Sequence, residues 1–214
     1  LWIAASHGMQ PVSETAPVAG VILAAGQASR FRAGDPSAKS KTVALLEGTP
    51  LVRRVAEAAL AAGLSPVVVV TGFGADDVTD AVQSLPVRLL HNPDYETGLA
   101  SSLRAGVAAL DDACAGAAIL LADMPRVTPG LIQTLVDAWR ARPEAAAAAP
   151  TWNGQRGNPV ILGKRLFADV ARLTGDVGAR PLLTGRSDVL DVAVDDVAVA
   201  LDVDTPEALL DLSR

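Results

Sequence analysis

Val21-Ile22-Leu23-Ala24-Ala25-Gly26-Gln27-Ala28-Ser29-Arg30, with Lys39 and Lys41 downstream, is the stretch from which this chain is read. An unbroken apolar run is what a strand buried on both faces requires. The run stops in small residues and then turns basic. Ala and Gly let backbone N–H groups come close to an anion, and Arg and Lys balance its charge. A nucleoside triphosphate fits this chemistry better than most ligands. A solvated basic loop is the plainer reading of Arg30, Lys39 and Lys41, and the residues alone do not decide between the two. The dinucleotide fingerprint G-x-G-x-x-G is absent, and so is the G-K-[ST] of a Walker loop.

Working outward, the β-branched run Val67-Val68-Val69-Val70 and the apolar run Ala117-Ala118-Ile119-Leu120-Leu121-Ala122 predict two more buried strands. Residues 87–91, 145–150 and 160–162 predict further strands, and 189–194 and 199–203 predict late ones. Between them fall helical segments at 51–62, with Pro50 at its first position, and at 75–84, 99–110, 129–140 and 164–172. Thr128 is placed to cap the fourth, and Thr205-Pro206-Glu207 opens a last helix. Alternating strand and helix implies a doubly wound α/β fold. Its mostly parallel sheet has right-handed crossovers, and the late strands extend or cap it. Ligands of such sheets sit at the carboxyl ends of the strands. The loops 25–41, 72–74, 92–98 and 123–125 all follow strands, so they converge on one rim.

Composition narrows the chemistry. Half of the 214 residues (50%) are hydrophobic but only 3% aromatic, so the core is built from Val, Leu, Ala and Ile. A chain of this length buries roughly 70% of its unfolded surface without staples. The net charge of −6 argues against nucleic acid as a partner. Every long apolar run is interrupted by charge or proline, which argues against a membrane span. Cys114, the one cysteine, excludes an internal disulfide and a cysteine-rich zinc site, and reads as a small packed residue. A cytoplasmic location is consistent with it. Histidine is scarce too, with only His7 and His91, and His91 reads as packed or hydrogen-bonded at a strand end. Triad and Cys–His mechanisms therefore have almost no material. A reaction that needs no protein nucleophile, such as phosphoryl or nucleotidyl transfer, is favoured.

The carboxylates are the remaining candidates. Asp123 ends an apolar strand, where it can hold Mg²⁺ against phosphates or simply cap a turn before Met124-Pro125. Asp202 and Asp204 follow another apolar run, and strand alternation would put them on one face. One of them can complete a metal site while the other caps the last helix. Asp111-Asp112 and Asp195-Asp196 read as solvated turns, and Asp76 and Asp77 as the start of a helix.

Taken together, six stretches resemble the MobA-like nucleotidyltransferases, and within them most closely the molybdenum cofactor cytidylyltransferases. They are Leu23-Ala24-Ala25-Gly26-x-x-Ser29-Arg30 with a following Lys, Asn92-Pro93-x-x-x-x-Gly98-x-x-x-Ser102-Leu103-x-x-Gly106, Asp123-Met124-Pro125-x-Val127, Arg156-Gly157-Asn158-Pro159-Val160, Gly175-Asp176-x-Gly178-Ala179-Arg180, and Asp202-x-Asp204-Thr205-Pro206-Glu207. The resemblance implies Mg²⁺-dependent transfer of a nucleotidyl group from CTP to the terminal phosphate of molybdopterin, releasing pyrophosphate. Leu23, Ala24, Ala25, Gly26, Ser29, Arg30 and Lys41 would bind the triphosphate, and Gly72, Asn92, Gly98 and Ser101 would lie near the nucleotide. Asp123 and Asp204 would hold the metal, and Arg30, Lys41 and Asp123 would be catalytic. Ser102, Arg156, Asn158, Asp176, Gly178 and Arg180 would face the acceptor.

Lys41 is preferred to Lys39 because its distance to Gly48-Thr49-Pro50-Leu51 fits the family, while Lys39 stays open because of extra residues around 35–37. Asn158 stands where many cytidylyl members have His, Phe31-Arg32 where they have Gly-Met, and Ala122-Asp123 where Gly-Asp is commoner. These departures bear on substrate identity more than on reaction type. GTP is the alternative donor. Ala25, where guanylyl relatives carry a third-position Gly, favours CTP. Transfer to sugar or alditol phosphates and a non-catalytic molybdopterin carrier are rival readings. A recipient molybdoenzyme or its chaperone is an implied partner. Residues 1–8 read as sequence appended ahead of a native start at Met9, residues 9–17 as a flexible lead-in, and 18–214 as one nucleotidyltransferase domain.

Overall fold

The computed structural model describes residues 16–27, 31 and 40–212. Its strands and α-helices run β1 (Val18–Ala24), β2 (Leu45–Leu46), β3 (Thr49–Pro50), α1 (Leu51–Ala61), β4 (Val67–Thr71), α2 (Ala75–Val82), β5 (Arg88–His91), α3 (Leu99–Ala108), β6 (Gly116–Leu121), α4 (Pro129–Arg140), β7 (Ala147–Trp152), β8 (Gln155–Arg156), β9 (Val160–Gly163), α5 (Phe167–Val170), α6 (Arg180–Leu183), β10 (Val189–Ala193) and α7 (Pro206–Leu212). The main sheet has the order β10-β7-β9-β6-β1-β4-β5, with β8 paired to β7 beside that path. Only β9 and β8 run antiparallel to their neighbours in it. The register sets Leu23 opposite both Val70 and Leu121, so β1, β4 and β6 end side by side.

Every residue of β1 is buried, as a central strand covered on both faces demands. Its alternation divides the core. Ile22 and Ala24 face one layer with Val52, Val55, Ile132 and Leu135 of α1 and α4. Val21 and Leu23 face the other with Leu103 and Val107 of α3 and Leu183 of α6. The alanines of β7 are a consequence of close packing: Ala147 to Ala149 are fully buried, and Trp139 of α4 packs in the layer that Ala148 faces. The Trp139 indole N–H donates to the Ala145 carbonyl at 3.1 Å. Thr128 caps α4 by accepting from the Leu131 N–H at 3.2 Å, as its sequence predicts.

Four expectations are corrected. Residues 199–203 are not a strand. Asp196 caps a 3-10 turn, Val197–Ala200, by accepting from the Ala198 N–H. The groups that would form a ladder are taken elsewhere, with Val199 O accepting from Asn158 N–H and Val203 N–H donating to Asp123 O, both at 2.9 Å. Only β10 extends the sheet late in the chain. Pro50 stands before the first turn of α1 rather than in it, because it pairs with Leu45 in the β2–β3 hairpin, which the sequence pattern did not announce. Residues 164–172 break into a 3-10 turn, Lys164–Leu166, and the single-turn α5. His91 is exposed rather than packed, because β5 is the edge strand. Cys114 is buried, and Asp76 and Asp77 occupy the first turn of α2, both as expected.

Candidate active site

The carboxyl ends of β1 and β6 deliver the first components. Asp123 lies just past β6, and Lys41 opens a 3-10 turn, Lys41–Val43, steadied by the 2.9 Å contact between Ser40 Oγ and Thr42 Oγ1. The third component is the segment 202–204. Val203 is fully buried against Leu46 and Leu51, with Phe31, Leu209 and Leu212 packed around that cluster. With its N–H also bound to Asp123 O, Val203 fixes Asp202 and Asp204 at the rim.

Lys41 Nζ donates to Asp123 Oδ2 and to Asp204 Oδ1, each at 2.7 Å. The Lys41 side chain is 14% exposed. Burial acts to lower its pKa, but the attraction of Asp123 and then of Asp204 outweighs this, so the ammonium is held above its ordinary value. The Asp202 pKa moves the same way, but for a carboxyl this favours the neutral form. Desolvation first, then repulsion from Asp204 and Asp123, raises its carboxyl above the ordinary range. Asp123 Oδ1 is enclosed and has no hydrogen-bond partner among the described residues. An unpartnered carboxylate oxygen in such a place is costly unless something else binds it.

Three hollows adjoin along the rim. One of about 430 Å³ holds Lys41, Asp123, Asp202 and Asp204 against Ala25 and Gly26. A second, of about 390 Å³, shares Ala25, Gly26 and Asp176 and is closed by Tyr95, Gly98 and Ser102. The third, about 810 Å³, shares Leu23, Leu99 and Leu121 with the first and is lined by Thr151, Arg156, Asn158, Arg180, Thr184 and Asp191.

The loop between β5 and α3 is built by its own side chains. Buried Asn92 donates through Nδ2 to Ser101 Oγ at 2.8 Å and Ser102 Oγ at 3.0 Å, and its Oδ1 accepts from Asp94 N–H. Ser101 Oγ reaches the Asp94 and Gly98 carbonyls. Gly98 has φ +111°, and a Cβ there would collide with the Gly175 backbone, so no other residue fits. Asp176 Oδ1 accepts from Leu99 N–H at 3.2 Å, joining this loop to the 175–180 segment. Gly72 packs against Tyr95 and Ala25.

The sequence-predicted residues therefore separate into groups. Lys41, Asp123 and Asp204 meet directly, and Ala25 and Gly26 border them. Leu23 contributes to the wall, whereas Ala24 is fully buried in β1. Asn92, Ser101 and Gly72 shape the loops by internal contacts. Arg156, Asn158, Gly178 and Arg180 share the large hollow, while Ser102 and Asp176 lie on the other side of Leu99 with the two smaller ones. Ser29, Arg30 and Lys39 lie outside the described residues. Sequence reasoning missed Thr151, Thr184 and Asp191. For Asp191 a signal existed: it is a charge inside the apolar run Val189-Leu190-Asp191-Val192.

Among the described residues, no helix is long and apolar enough to cross a membrane. The family model for the MobA-like NTP transferase domain matches residues 20–191, which spans the whole rim just described except the 202–204 segment. The chain belongs to this nucleotidyltransferase family. The chain is 30% identical over 198 residues to nicotine blue oxidoreductase of Paenarthrobacter nicotinovorans, covering 90% of this chain and 94% of that protein. It is 26% identical over 145 residues to the molybdenum cofactor cytidylyltransferase of Escherichia coli K12, covering 67% and 71%. Among solved structures, Rv0371c of Mycobacterium tuberculosis superposes with a TM-score of 0.80 at 27% identity, over 93% of this chain and 99% of that one. A manganese complex of Rv0371c superposes with a TM-score of 0.74 at 26% identity, over 92% and 97%.

Proposed function

We propose that this MobA-like protein transfers the cytidylyl group of CTP to the terminal phosphate of a molybdopterin-type acceptor. The observation that carries the reading is the Lys41 ammonium gripped by Asp123 and Asp204 at the rim, beside the small residues Ala25 and Gly26. A cation, two carboxylates and a backbone that admits close approach are the parts that phosphoryl-transfer chemistry needs. The donor set suits a hard divalent ion: Asp123 and Asp204 bring two carboxylates to one point at the rim, and Mg²⁺ is characteristically held by one or two carboxylates with substrate phosphates. When bound, such an ion neutralises charge on the triphosphate.

The chain's own residues supply the rest. Gly26 and its neighbours receive the phosphates. Lys41 places a positive charge beside the α-phosphoryl group and the departing pyrophosphate, with Arg30 assigned the same role from its sequence position. The hollow shared by Gly98 and Tyr95 receives the nucleoside, and the large one, with Asn158 and Arg180, receives the acceptor. An ionised acceptor phosphate oxygen forms the new bond to the α-phosphorus. The bond to the β-phosphate breaks, and pyrophosphate leaves with the electron pair. No proton need be removed from the nucleophile, which suits hollows lined by no histidine among the described residues. The product is the dinucleotide form of the cofactor, for delivery to a recipient enzyme or its chaperone.

The test is pyrophosphate release from CTP, GTP, ATP and UTP with Mg²⁺, with and without molybdopterin. The expected result is acceptor-dependent release with CTP. Productive use of GTP alone would move the chain to guanylyl transfer. A second reading, oxidoreduction of nicotine blue, is favoured by the identity to that oxidoreductase over nearly the full length of both chains. It leaves the Lys41–Asp123–Asp204 cluster without a task. Conversion of nicotine blue that consumes an added electron donor or acceptor in equal amount, without any nucleotide transfer, would select it.

A further inference from the structure

We propose that Lys41 occupies the position a divalent ion needs, so that the ion enters the Asp123–Asp204 pair only together with a triphosphate that draws the ammonium away. This rests on the nucleotidyl-transfer reading and adds the order in which the site fills. Lys41 is then the residue that makes metal binding conditional on nucleotide.

The geometry makes the two cations exclusive. The ammonium contacts one oxygen of each carboxylate at 2.7 Å. A Mg²⁺ ion would stand roughly 2.0–2.1 Å from the same oxygens, well inside the volume the ammonium fills. The other oxygen of Asp123, Oδ1, is enclosed and offers no open approach. An ion that is to bridge Asp123 Oδ2 and Asp204 Oδ1 therefore has to take the ammonium's place.

Displacement is unfavourable while the site holds no nucleotide. The contacts of Lys41 Nζ are to these two carboxylates, and burial of the side chain already opposes its charge. A displaced ammonium would lose both charge-assisted bonds in a place where water replaces them poorly. A triphosphate changes the balance, because its oxygens lie in the same hollow and accept from the ammonium directly. Each cation then gains anionic oxygens: the metal those of the carboxylates, the lysine those of the phosphates. Metal and nucleotide binding are consequently coupled, and by linkage the coupling is equal in both directions.

The experiment counts free Mn²⁺ by electron paramagnetic resonance during titration of the protein. It is done alone and with the non-transferable α,β-methylene analogue of CTP. The wild type should bind Mn²⁺ weakly alone and about tenfold or more tightly with the analogue. Lys41→Met should bind Mn²⁺ without nucleotide about tenfold or more tightly than the wild type, and the analogue should add much less. Lys41→Gln, close in length and neutral, should behave as Lys41→Met does. Lys41→Met and Lys41→Gln variants that are folded but bind Mn²⁺ alone no better than the wild type would overturn the exchange. If neither variant folds, the wild type decides by carbon-13 resonance of the Lys41 side chain. The resonance should shift on adding Mg²⁺ with the analogue and stay in place with Mg²⁺ alone, and a shift with Mg²⁺ alone overturns the proposal. Asp123→Asn should lose Mn²⁺ with and without the analogue. Full Mn²⁺ binding by that variant would remove the site assignment itself, which separates failure of the functional reading from failure of the exchange.

Discussion

Two cations anchor the rim, and they are held in opposite ways. Lys41 presents one compact ammonium to two carboxylates, leaving a surplus of negative charge and an unpartnered oxygen beside it. Arg156 spends its planar fork completely. Its Nε and Nη2 donate to both oxygens of Asp191, at 2.5 and 3.2 Å, and Nη1 donates to the Leu183 carbonyl at 2.7 Å. An ammonium rotates freely and can change partners, whereas a guanidinium engaged on three nitrogens is fixed in plane and direction. The first arrangement is suited to exchange and the second to construction. Arg156 ties β8 to β10 and to the end of α6, so it shapes the large hollow. Arg180, which lines the same hollow, has no ion pair among the described residues, and is the charge available to a ligand there.

The comparison breaks first at Asp123. In Asp123→Ala the turnover of CTP should fall by about 100-fold or more while the fold survives, since a rim carboxylate carries little packing. Steady-state rates beside a melting curve check this, and full activity in a folded variant would dismiss Asp123 from the chemistry. The two arginines come next. Arg180→Ala should raise the acceptor KM by about 10-fold, the loss of one charge-assisted contact, with CTP binding unchanged. Arg156→Ala should lower Tm by about 2–4 °C and disturb the acceptor less specifically, because it leaves Asp191 and the Leu183 carbonyl without their partner. If Arg156→Ala leaves Tm untouched and abolishes acceptor use, the assignment of roles is inverted.

Donor choice is a smaller effect. With Ala25 in place the protein should prefer CTP to GTP, and competition assays that show tighter productive use of GTP would reverse this. The least effect is expected at Asp202. Its raised carboxyl means that the ionised form opposes folding at neutral pH and that this opposition disappears below the ordinary carboxylate range. Asp202→Asn should therefore raise Tm by about 1–2 °C at pH 7 and leave it unchanged in acid. A melting series across pH without added metal measures it.

Much of the frame was legible. The apolar runs ending at Ala24, Thr71 and Leu121 announced three parallel strands, because burial on both faces leaves few alternatives for such sequences. Asp123 was legible for the same reason: a charge that ends a buried strand has to point into the rim. The segment 199–203 misled because an apolar run says that a segment is buried without saying how. Val199 and Val203 are buried as plugs beneath loops, with backbone partners at Asn158 and Asp123 that lie far away in the chain. Asp202 and Asp204 nonetheless line one hollow as expected, not through a strand but because buried Val203 between them pins both at the rim. Lys41 could be singled out from spacing, but its grip on both carboxylates could not. That depends on three segments meeting, and pair contacts across 163 residues leave no local mark. Asn92, Ser101 and Ser102 looked like ligand-facing polar groups, and the structure uses much of their capacity to hold a loop together.

The hydrogen bond from Val203 to Asp123 also has a consequence in time. The paired strands of the main sheet end at Ala193, whereas the second carboxylate of the pair comes at Asp204. During synthesis the scaffold can thus be complete before the charge cluster is. A polypeptide ending at Ala200 would retain every strand but lack the segment that Leu46 and Leu51 enclose, and with it half of the lysine's grip. The sheet and the charge cluster are thus completed by different parts of the sequence, one by residue 193 and the other only at residue 204.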